Sequence, residues 1–190
     1  SSMLLNLRAS NGGGKSTIVR RLIETAVKKQ PIYGLLGPRI PEGYELRVQG
    51  VKKPVYVLGG YDLPTGGCDL VQPYDLVLDL LRKYAAKGHV VFEGVLISSS
   101  YGRVGALMEE WGQEAVMAFL DTPLETCIRN VEVRRKARGD ERPFNPANLT
   151  SKYNQILKNR ERIAAAGKLR VVILNYDKGF EQALELLRGA

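Results

Sequence analysis

The sequence is poor in the residues that build metal centres and disulfide frameworks. Its 190 residues include a single histidine, His89, and two cysteines, Cys68 and Cys127, that lie far apart. One histidine and two distant cysteines match no zinc-ligand spacing, which excludes a metal site of that kind. We therefore expect two buried, reduced thiols, and a structural rather than catalytic role for His89, which begins an apolar segment.

Long apolar runs are also absent from the chain. No run approaches the roughly 20 residues that a membrane-spanning helix requires, and no signal-peptide pattern is present. These absences predict a cytoplasmic protein with no membrane partner. With 44% hydrophobic residues, residues 3–190 are expected to form a single domain around one sizeable core, and Ser1 and Ser2 before Met3 are interpreted as a tag remnant.

Acidic residues are outnumbered by basic ones. The chain contains 20 Asp and Glu residues against 28 Lys and Arg residues, which gives a net charge of +8. A surplus of this size favours polyanionic partners such as nucleic acid. A small nucleotide also carries phosphates, so charge alone leaves both kinds of partner open.

The most specific motif is a glycine-rich stretch, ASNGGGKS, at residues 9–16. It fits the phosphate-loop template G-x-x-x-x-G-K-[ST], except that Ala9 replaces the first glycine. The residues predicted to bind a nucleotide are Ser10, Asn11, Gly12, Gly13, Gly14, Lys15, Ser16 and Thr17. Lys15 is expected to reach the β- and γ-phosphates and Ser16 to coordinate Mg²⁺, because such loops present N–H groups and a lysine to phosphate. A glycine-rich turn with a solvated lysine is the alternative.

Strand-like and helix-like segments alternate along the chain. Apolar and β-branched runs predict strands over 3–8, 54–60, 89–97, 114–121 and 169–177. Helical periodicity predicts helices over 16–29, 74–88, 98–112, 122–139, 148–166 and 180–189. The alternation predicts an α/β fold in which a five-stranded parallel sheet is flanked by helices in a three-layer sandwich.

Two local stretches need separate interpretation. The region 31–53, rich in proline and glycine, fits the alternation poorly and is interpreted as an insertion in which YELRV, residues 44–48, forms half of a hairpin. The stretch TPLE, residues 122–125, predicts a helix start in which Thr122 is the cap and Glu125 completes a capping box. We expect this helix to follow the fourth strand directly.

Acidic and basic side chains follow the predicted strands, where ligands of parallel sheets gather. Asp62 follows the second strand and is predicted to take the proton of an attacking hydroxyl, with an ordinary turn aspartate as the alternative. Asp69, on the same loop, is a weaker candidate. Glu93 follows the third strand and is predicted to support Mg²⁺, unless it merely faces solvent. Arg103 is predicted to hold an acceptor phosphate, unless it is a solvated helix arginine.

The densest basic block in the chain follows the fourth strand. Its members are Arg129, Arg134, Arg135, Lys136, Arg138 and Arg142. Arginines on a mobile flap can neutralise charge on a transferring phosphate, so we predict an arginine-rich lid over 134–148 with Arg134 and Arg138 in catalytic roles. A solvated helix face and a grip on a nucleic-acid backbone are the alternatives.

Taken together, the phosphate loop, the two strand-end acids and the basic block resemble the nucleotide-kinase branch of P-loop proteins. Asp62 resembles the catalytic base of polynucleotide kinases. A closer resemblance is to bacteriophage kinases that phosphorylate 5-hydroxymethyluracil within DNA. The matching stretches, spread over residues 5–148, are NLRASNGGGKSTIVRR, PVYVLGGYDLPTGGCD, GHVVFEGVLIS, SYGR, FLDTPLE and PFNPAN.

This resemblance implies ATP or a related triphosphate as donor, Mg²⁺, and DNA containing hydroxymethyluracil as acceptor, in the cytoplasm of the host cell. It implies that Lys15 and Ser16 hold nucleotide and metal, that Asp62 acts on the hydroxyl, and that Glu93 supports magnesium. Ala9 departs from the loop pattern of the family.

Three other functions share parts of the pattern. A kinase of free nucleosides or nucleoside monophosphates would carry the same loop, acids and arginines. A P-loop ATPase would hydrolyse ATP without a hydroxyl acceptor. A basic nucleic-acid-binding module with an inactive loop is least compatible with the chain, because Lys15 and Ser16 are both present.

Overall fold

The structure, a computed structural model, describes residues 2–62, 66–71 and 74–190. Within these residues, seven strands form one sheet with helices packed on both faces. The strands are β1 (Leu4–Arg8), β2 (Lys28–Ile32), β3 (Gly43–Arg47), β4 (Val55–Leu58), β5 (His89–Glu93), β6 (Ala115–Leu120) and β7 (Arg170–Leu174). The helices are α1 (Lys15–Thr25), α2 (Asp75–Ala85), α3 (Val95–Ser98), α4 (Gly102–Trp111), α5 (Leu124–Ala137), α6 (Ala147–Ala166) and α7 (Gly179–Arg188).

The strand order across the sheet is β2-β3-β4-β5-β1-β6-β7. The strands from β4 onward in this order are parallel, which confirms the predicted parallel sheet with alternating strands and helices. The prediction of five strands is wrong, because the hairpin of β2 and β3 extends the sheet antiparallel to β4. The stretch YELRV does form half of a hairpin, as its pattern predicts.

The other half, β2, escaped prediction because it is an edge strand. Its first four residues are exposed, so its sequence, KKQPI, carries no apolar alternation. The proline at position 31 fits an edge, where one row of N–H groups lacks a strand partner. The predicted helix over 16–29 is too long: it ends at Thr25, because Lys29 pairs with Leu46 of β3.

Two apolar cores lie on opposite faces of the sheet. Helices α1 and α7 bury Leu22 and Leu187 against one face, and α2, α4 and α6 bury residues such as Leu81 and Met108 against the other. The strands β1, β5 and β6 are buried along their whole length, which explains why they read as continuous apolar runs. Among the described helices, none combines the length and apolarity needed to cross a bilayer.

The carboxyl ends of the parallel strands share one edge of the sheet. The glycine-rich loop leaves β1 there, Glu93 ends β5, and the chain enters α5 just after β6. Because Gly43 pairs with Leu58, the start of β3 lies beside the end of β4. The connection between β2 and β3, residues 33–42, therefore lies at this same edge.

His89 closes the opposite end of the sheet. Its Nδ1 accepts a hydrogen bond of 2.9 Å from the N–H of Met3, and the residue is 2% exposed. Burial lowers the pKa of His89, and the nearby charge of Lys53 lowers it further. These contacts agree with the structural role expected from the sequence.

We expect the free energy of unfolding to decrease as the pH is lowered from about 7.5 to about 5.5. His89→Asn should weaken this pH dependence. The folded pKa lies below the unfolded value, so the unfolded chain binds more protons over this range and gains stability as pH falls. A protonated Nδ1 also cannot accept the Met3 N–H. Urea denaturation at both pH values measures the effect. Because the chain has one histidine, its ring can also be titrated directly by NMR. A midpoint at or above the ordinary histidine pKa would contradict the prediction.

Candidate active site

The glycine-rich loop wraps around the side chain of Lys15. The Lys15 Nζ donates hydrogen bonds to the carbonyl oxygens of Ala9 at 2.7 Å and Ser10 at 3.2 Å. Burial lowers the pKa of Lys15, while the carboxylates of Glu93 and Asp69 oppose this shift. The ammonium therefore lies at the centre of the loop, at the N-terminus of α1, with acidic groups on one side.

The loop keeps this shape although alanine replaces its first glycine. A Cβ placed at Gly13 would lie 2.5 Å from the Ala9 Cβ, so the methyl group occupies space that Gly13 leaves open. Gly12 has a φ of 75°, and a Cβ there would lie 2.3 Å from the carbonyl oxygen of Cys127. The substitution is tolerated because the following glycines allow the backbone to pack against both Ala9 and α5.

Two side chains near α5 hold the loop from outside. The Thr122 hydroxyl donates a 2.7 Å hydrogen bond to the Gly13 carbonyl, and the Asn130 Nδ2 donates one of 2.9 Å to the Gly12 carbonyl. The prediction of Thr122 as a helix cap is wrong, since Pro123 occupies the cap position of α5 and makes no side-chain cap bond. The sequence pattern does not reveal the hydrogen bond from Thr122 to the loop. The one available signal is that Thr122 follows β6, the strand that pairs with β1.

A cleft of about 630 Å³ opens in front of the loop. Its floor is formed by loop residues from Asn11 to Thr17 together with Glu93 and Asp69, and its wall by α5 and the segment after it. The predicted loop residues therefore come together, except that Ser10 is buried behind the loop, where its hydroxyl lies 3.5 Å from the Cys127 Sγ. Arg20 of α1 also lines the cleft and was not predicted.

Glu93 is a buried acid at the end of β5. The Tyr61 hydroxyl donates a 2.8 Å hydrogen bond to its Oε1. Burial raises the pKa of Glu93, whereas the charge of Lys15 and the bond from Tyr61 lower it. A Cβ at Gly67 would lie 2.3 Å from the Glu93 Oε1, so only glycine lets the loop that carries Asp69 approach this closely. The position of Glu93 agrees with a metal-supporting role and not with a solvent-facing one.

The two aspartates of the neighbouring loop are placed differently. Asp69 lines the cleft, and its carboxylate accepts the N–H groups of Val95 at 3.0 Å and Leu96 at 3.5 Å. Asp62 is exposed, accepts a 3.4 Å hydrogen bond from the Tyr44 hydroxyl, and is not among the described residues that line the cleft. Of the two acids, Asp69 lies nearer to Lys15 and Glu93.

Arg103, predicted to hold an acceptor phosphate, lies outside the cleft lining as well. It forms an ion pair with Asp75, and its guanidinium lies 5.6 Å from the centre of the Tyr74 ring. The structure thus places Arg103 against α2. Its predicted role in substrate binding receives no support from this placement.

The basic block divides between two surfaces. Arg134, Arg135 and Arg138 line the cleft, whereas Lys136 and Arg142 line a neighbouring depression. Arg135 is engaged by Asp140 at 3.3 Å, which also binds Arg142 at 2.8 Å. Among the described residues, Arg134 and Arg138 pair with no carboxylate, so their charges remain available to an anion in the cleft.

The same cleft offers oxygen ligands of the kind that Mg²⁺ prefers. The Ser16 hydroxyl and the Glu93 carboxylate both line it, and Asp69 adds a second carboxylate. The described part of the chain contains no cluster of three or more acidic, histidine or cysteine side chains that would form an all-protein metal cage. Mg²⁺ at nucleotide sites needs only one or two carboxylates, since phosphates and water complete its shell. The residues present therefore fit this ion.

We expect Thr122→Val to destabilise the protein by about 1–3 kcal/mol, because the buried Gly13 carbonyl would lose its hydrogen-bond donor. Urea denaturation measures this change. The matched control is Thr25→Val, which removes an exposed hydroxyl that donates to the Arg21 carbonyl at 2.7 Å. The control should change stability by less than about 0.5 kcal/mol, and equal losses in both variants would show that the Thr122 bond does not support the loop.

Comparison with known proteins places the chain in a family. No family model matches the chain. A curated protein of Pseudomonas phage PaMx11, named 5-hmdU DNA kinase, is 36% identical over 188 residues and spans 98% of this chain and 97% of its own. A protein of the same name from Pseudomonas phage M6 is 26% identical over 175 residues, covering 86% of this chain and 87% of its own.

Among solved structures, a gluconokinase from Sinorhizobium meliloti 1021 superposes with a TM-score of 0.52 at 12% identity, covering 97% of this chain and 91% of its own. This similarity shows a kinase fold, with two more strands here than the sequence predicts. Together with the near full-length phage relative, it confirms the resemblance inferred from the sequence. The chain is a kinase and belongs to the family of phage 5-hmdU DNA kinases.

Proposed function

We propose that this kinase transfers the γ-phosphoryl group of ATP, with Mg²⁺, to the hydroxymethyl oxygen of 5-hydroxymethyl-2′-deoxyuridine within DNA. The observation that carries the proposal is the cleft in which the phosphate loop, the buried Glu93 and two arginines without a carboxylate partner among the described residues meet. The substrate is taken from the relatives, which bear the name 5-hmdU DNA kinase. The net charge of +8 agrees with a polyanionic acceptor.

The triphosphate is bound by the loop and by Lys15. N–H groups at the start of α1 face the phosphates, and the positive end of the helix favours their charge. The Lys15 ammonium, now bonded to the carbonyls of Ala9 and Ser10, lies where it can exchange these weak acceptors for phosphate oxygens. Phosphate oxygens would favour the charged form of Lys15 and so offset the effect of its burial.

Ser16 and Glu93 would hold the magnesium ion. The ion they would hold would supply positive charge that offsets the negative charge developing on the phosphates during transfer. Glu93 must be ionised to act as a ligand or to orient a bound water. Because burial raises its pKa, this ionisation is lost at a higher pH than for an exposed glutamate.

Arg134 and Arg138 stabilise the transferring group. Both line the same cleft as Glu93, and neither pairs with a carboxylate among the described residues. Burial lowers the pKa of Arg134, and the neighbouring Arg138 lowers it further, but an arginine remains protonated near neutral pH. Donors fixed before the reaction stabilise the transition state without reorganisation.

We assign the proton acceptor to Asp69, with Asp62 as the second candidate. During transfer the O–H bond of the hydroxymethyl group breaks, and its proton passes to the carboxylate. A bond forms from that oxygen to the γ-phosphorus while the bond to the β–γ bridging oxygen breaks, leaving ADP. A base must lie within hydrogen-bond reach of the attacking hydroxyl. Asp69 meets this condition better, since it lines the cleft near Lys15 and Asp62 does not.

We expect Lys15→Ala to reduce phosphoryl transfer by about 100-fold or more, because the variant loses a charge that faces the transferring phosphate. Transfer from γ-labelled ATP is measured on an oligonucleotide containing 5-hydroxymethyluracil, on the matched thymine oligonucleotide, and on the free hydroxymethyl nucleoside and its 5′-monophosphate. Lys87→Ala, an exposed lysine at the far end of α2, is the control and should keep full activity.

Wild-type label on the hydroxymethylated oligonucleotide alone supports the proposal. Label confined to free nucleoside or nucleotide would contradict it and favour the free-nucleotide kinase. ATP turnover without any labelled acceptor would favour an ATPase.

We expect Asp69→Asn to lower kcat by about 10²–10⁴-fold while ATP affinity stays within about threefold of wild type. Asparagine keeps one oxygen for the 3.0 Å bond from the Val95 N–H and gives up only the longer 3.5 Å bond from Leu96, so the loop keeps its main contact. The amide cannot take up a proton, so the base is lost. Asp62→Asn is the matched variant and should have the smaller effect. A larger loss of kcat in Asp62→Asn would return the role to the acid that the sequence pattern favours.

A further inference from the structure

The connection between β2 and β3, residues 33–42, is called the tip loop here. It lies at the carboxyl edge of the sheet, and the nucleotide cleft does not use it. Two large apolar side chains of this loop face solvent: Tyr33 is 48% exposed and Leu35 is 41% exposed. Single exposed apolar side chains are common on protein surfaces, so what distinguishes these two is their shared position on one loop at the edge that carries the cleft.

A buried carboxylate holds the tip loop in place. Glu42, 4% exposed, accepts hydrogen bonds from the N–H of Leu35 at 3.3 Å and from the hydroxyl of Tyr84 at 2.5 Å. The Lys83 Nζ lies 3.6 Å from the same carboxylate. A buried charge is costly unless it is paired and hydrogen-bonded, and here it is both. Tyr33 and Leu35 are therefore exposed on a loop that Glu42 holds in place.

The tip loop flanks the acidic side of the cleft. The Ile40 side chain lies 3.4 Å from the position that a Cβ at Gly60 would take, and the N–H of Gly59 donates to the Glu42 carbonyl at 2.7 Å. Tyr33 lies two residues after Pro31, which pairs with Tyr44 of β3. Since the Tyr44 hydroxyl donates to Asp62, Tyr33 leaves the sheet on the side that meets this aspartate.

The outward charge of this hairpin is basic. The exposed charged residues of β2, the tip loop and β3 are Lys28, Lys29, Arg39 and Arg47. The two acids of the segment are engaged elsewhere: Glu42 is buried, and Glu45 accepts a 2.7 Å hydrogen bond from the Tyr56 hydroxyl. On the tip loop itself, the exposed ring of Tyr33 and the charge of Arg39 are the kinds of group that bind unpaired nucleic acid, because bases stack on a ring and phosphates meet the charge. Lys28 and Arg47 pair at the far end of the hairpin.

We propose that the tip loop binds the DNA strand that carries the acceptor base, with Tyr33 stacking on a neighbouring base and Arg39 contacting the phosphate backbone. The inference rests on the proposed function, since it names the surface that would hold a polymeric acceptor beside the transferring phosphate.

The test measures binding separately from chemistry. The dissociation constant for a fluorescent single-stranded oligonucleotide containing 5-hydroxymethyluracil is determined by anisotropy, without ATP. Tyr33→Ala should raise this constant by about fivefold to 150-fold, the range expected for one stacked base. Val27→Ala removes an apolar side chain that is 69% exposed at the opposite end of β2, and this control should leave the constant unchanged.

The split between KM and kcat on the hydroxymethylated oligonucleotide provides the second readout. Tyr33→Ala should raise KM for this oligonucleotide and leave kcat at saturating oligonucleotide and ATP affinity unchanged. Unchanged oligonucleotide binding in Tyr33→Ala, with transfer to DNA intact, would overturn this inference and leave the proposed function standing. Oligonucleotide binding that depends on Tyr33 in a protein that labels no hydroxymethylated DNA would support the surface and overturn the proposed function.

Discussion

The site depends on the pairing of β1 with its two neighbours. Leu7 lies opposite Glu93 on one side, and Arg8 lies opposite Phe119 on the other. This register brings the end of β5 and the chain after β6 to the phosphate loop at the same level. The loop can then be supported from one side by Thr122 while Glu93 approaches its lysine from the other. A shift of one residue in either pairing would turn alternate side chains to the opposite face of the sheet.

Much of this arrangement can be predicted from sequence. The phosphate loop and Glu93 are recognised because each follows a buried strand, and buried strands of a parallel sheet are uninterrupted apolar runs. The edge strand β2 cannot be recognised in this way, since an exposed strand such as KKQPI has no apolar periodicity. Because β2 has no apolar pattern of its own, the helix predicted over 16–29 also extends past the end of α1 at Thr25.

The direction in which a side chain points is harder to predict from sequence than the place of its residue in the fold. Spacing places Asp62 and Asp69 on one loop but does not show which carboxylate turns toward the cleft, because the intervening glycines allow several paths. Thr122 carries a good capping sequence, yet Pro123 takes the cap position of α5 and the Thr122 hydroxyl donates to the Gly13 carbonyl instead. The basic block appears continuous in sequence, but helical rotation and the Asp140 ion pairs divide it between two surfaces.

Helix α5 also connects the loop to the arginines as one body. Asn130, which bonds to Gly12, lies one helical turn before Arg134, and Arg138 follows a turn later. A swinging motion of the entire helix would break the Asn130 bond and move both guanidinium groups away from the glycine-rich loop. As long as this bond holds, Arg134 therefore keeps a fixed place relative to the backbone of the loop.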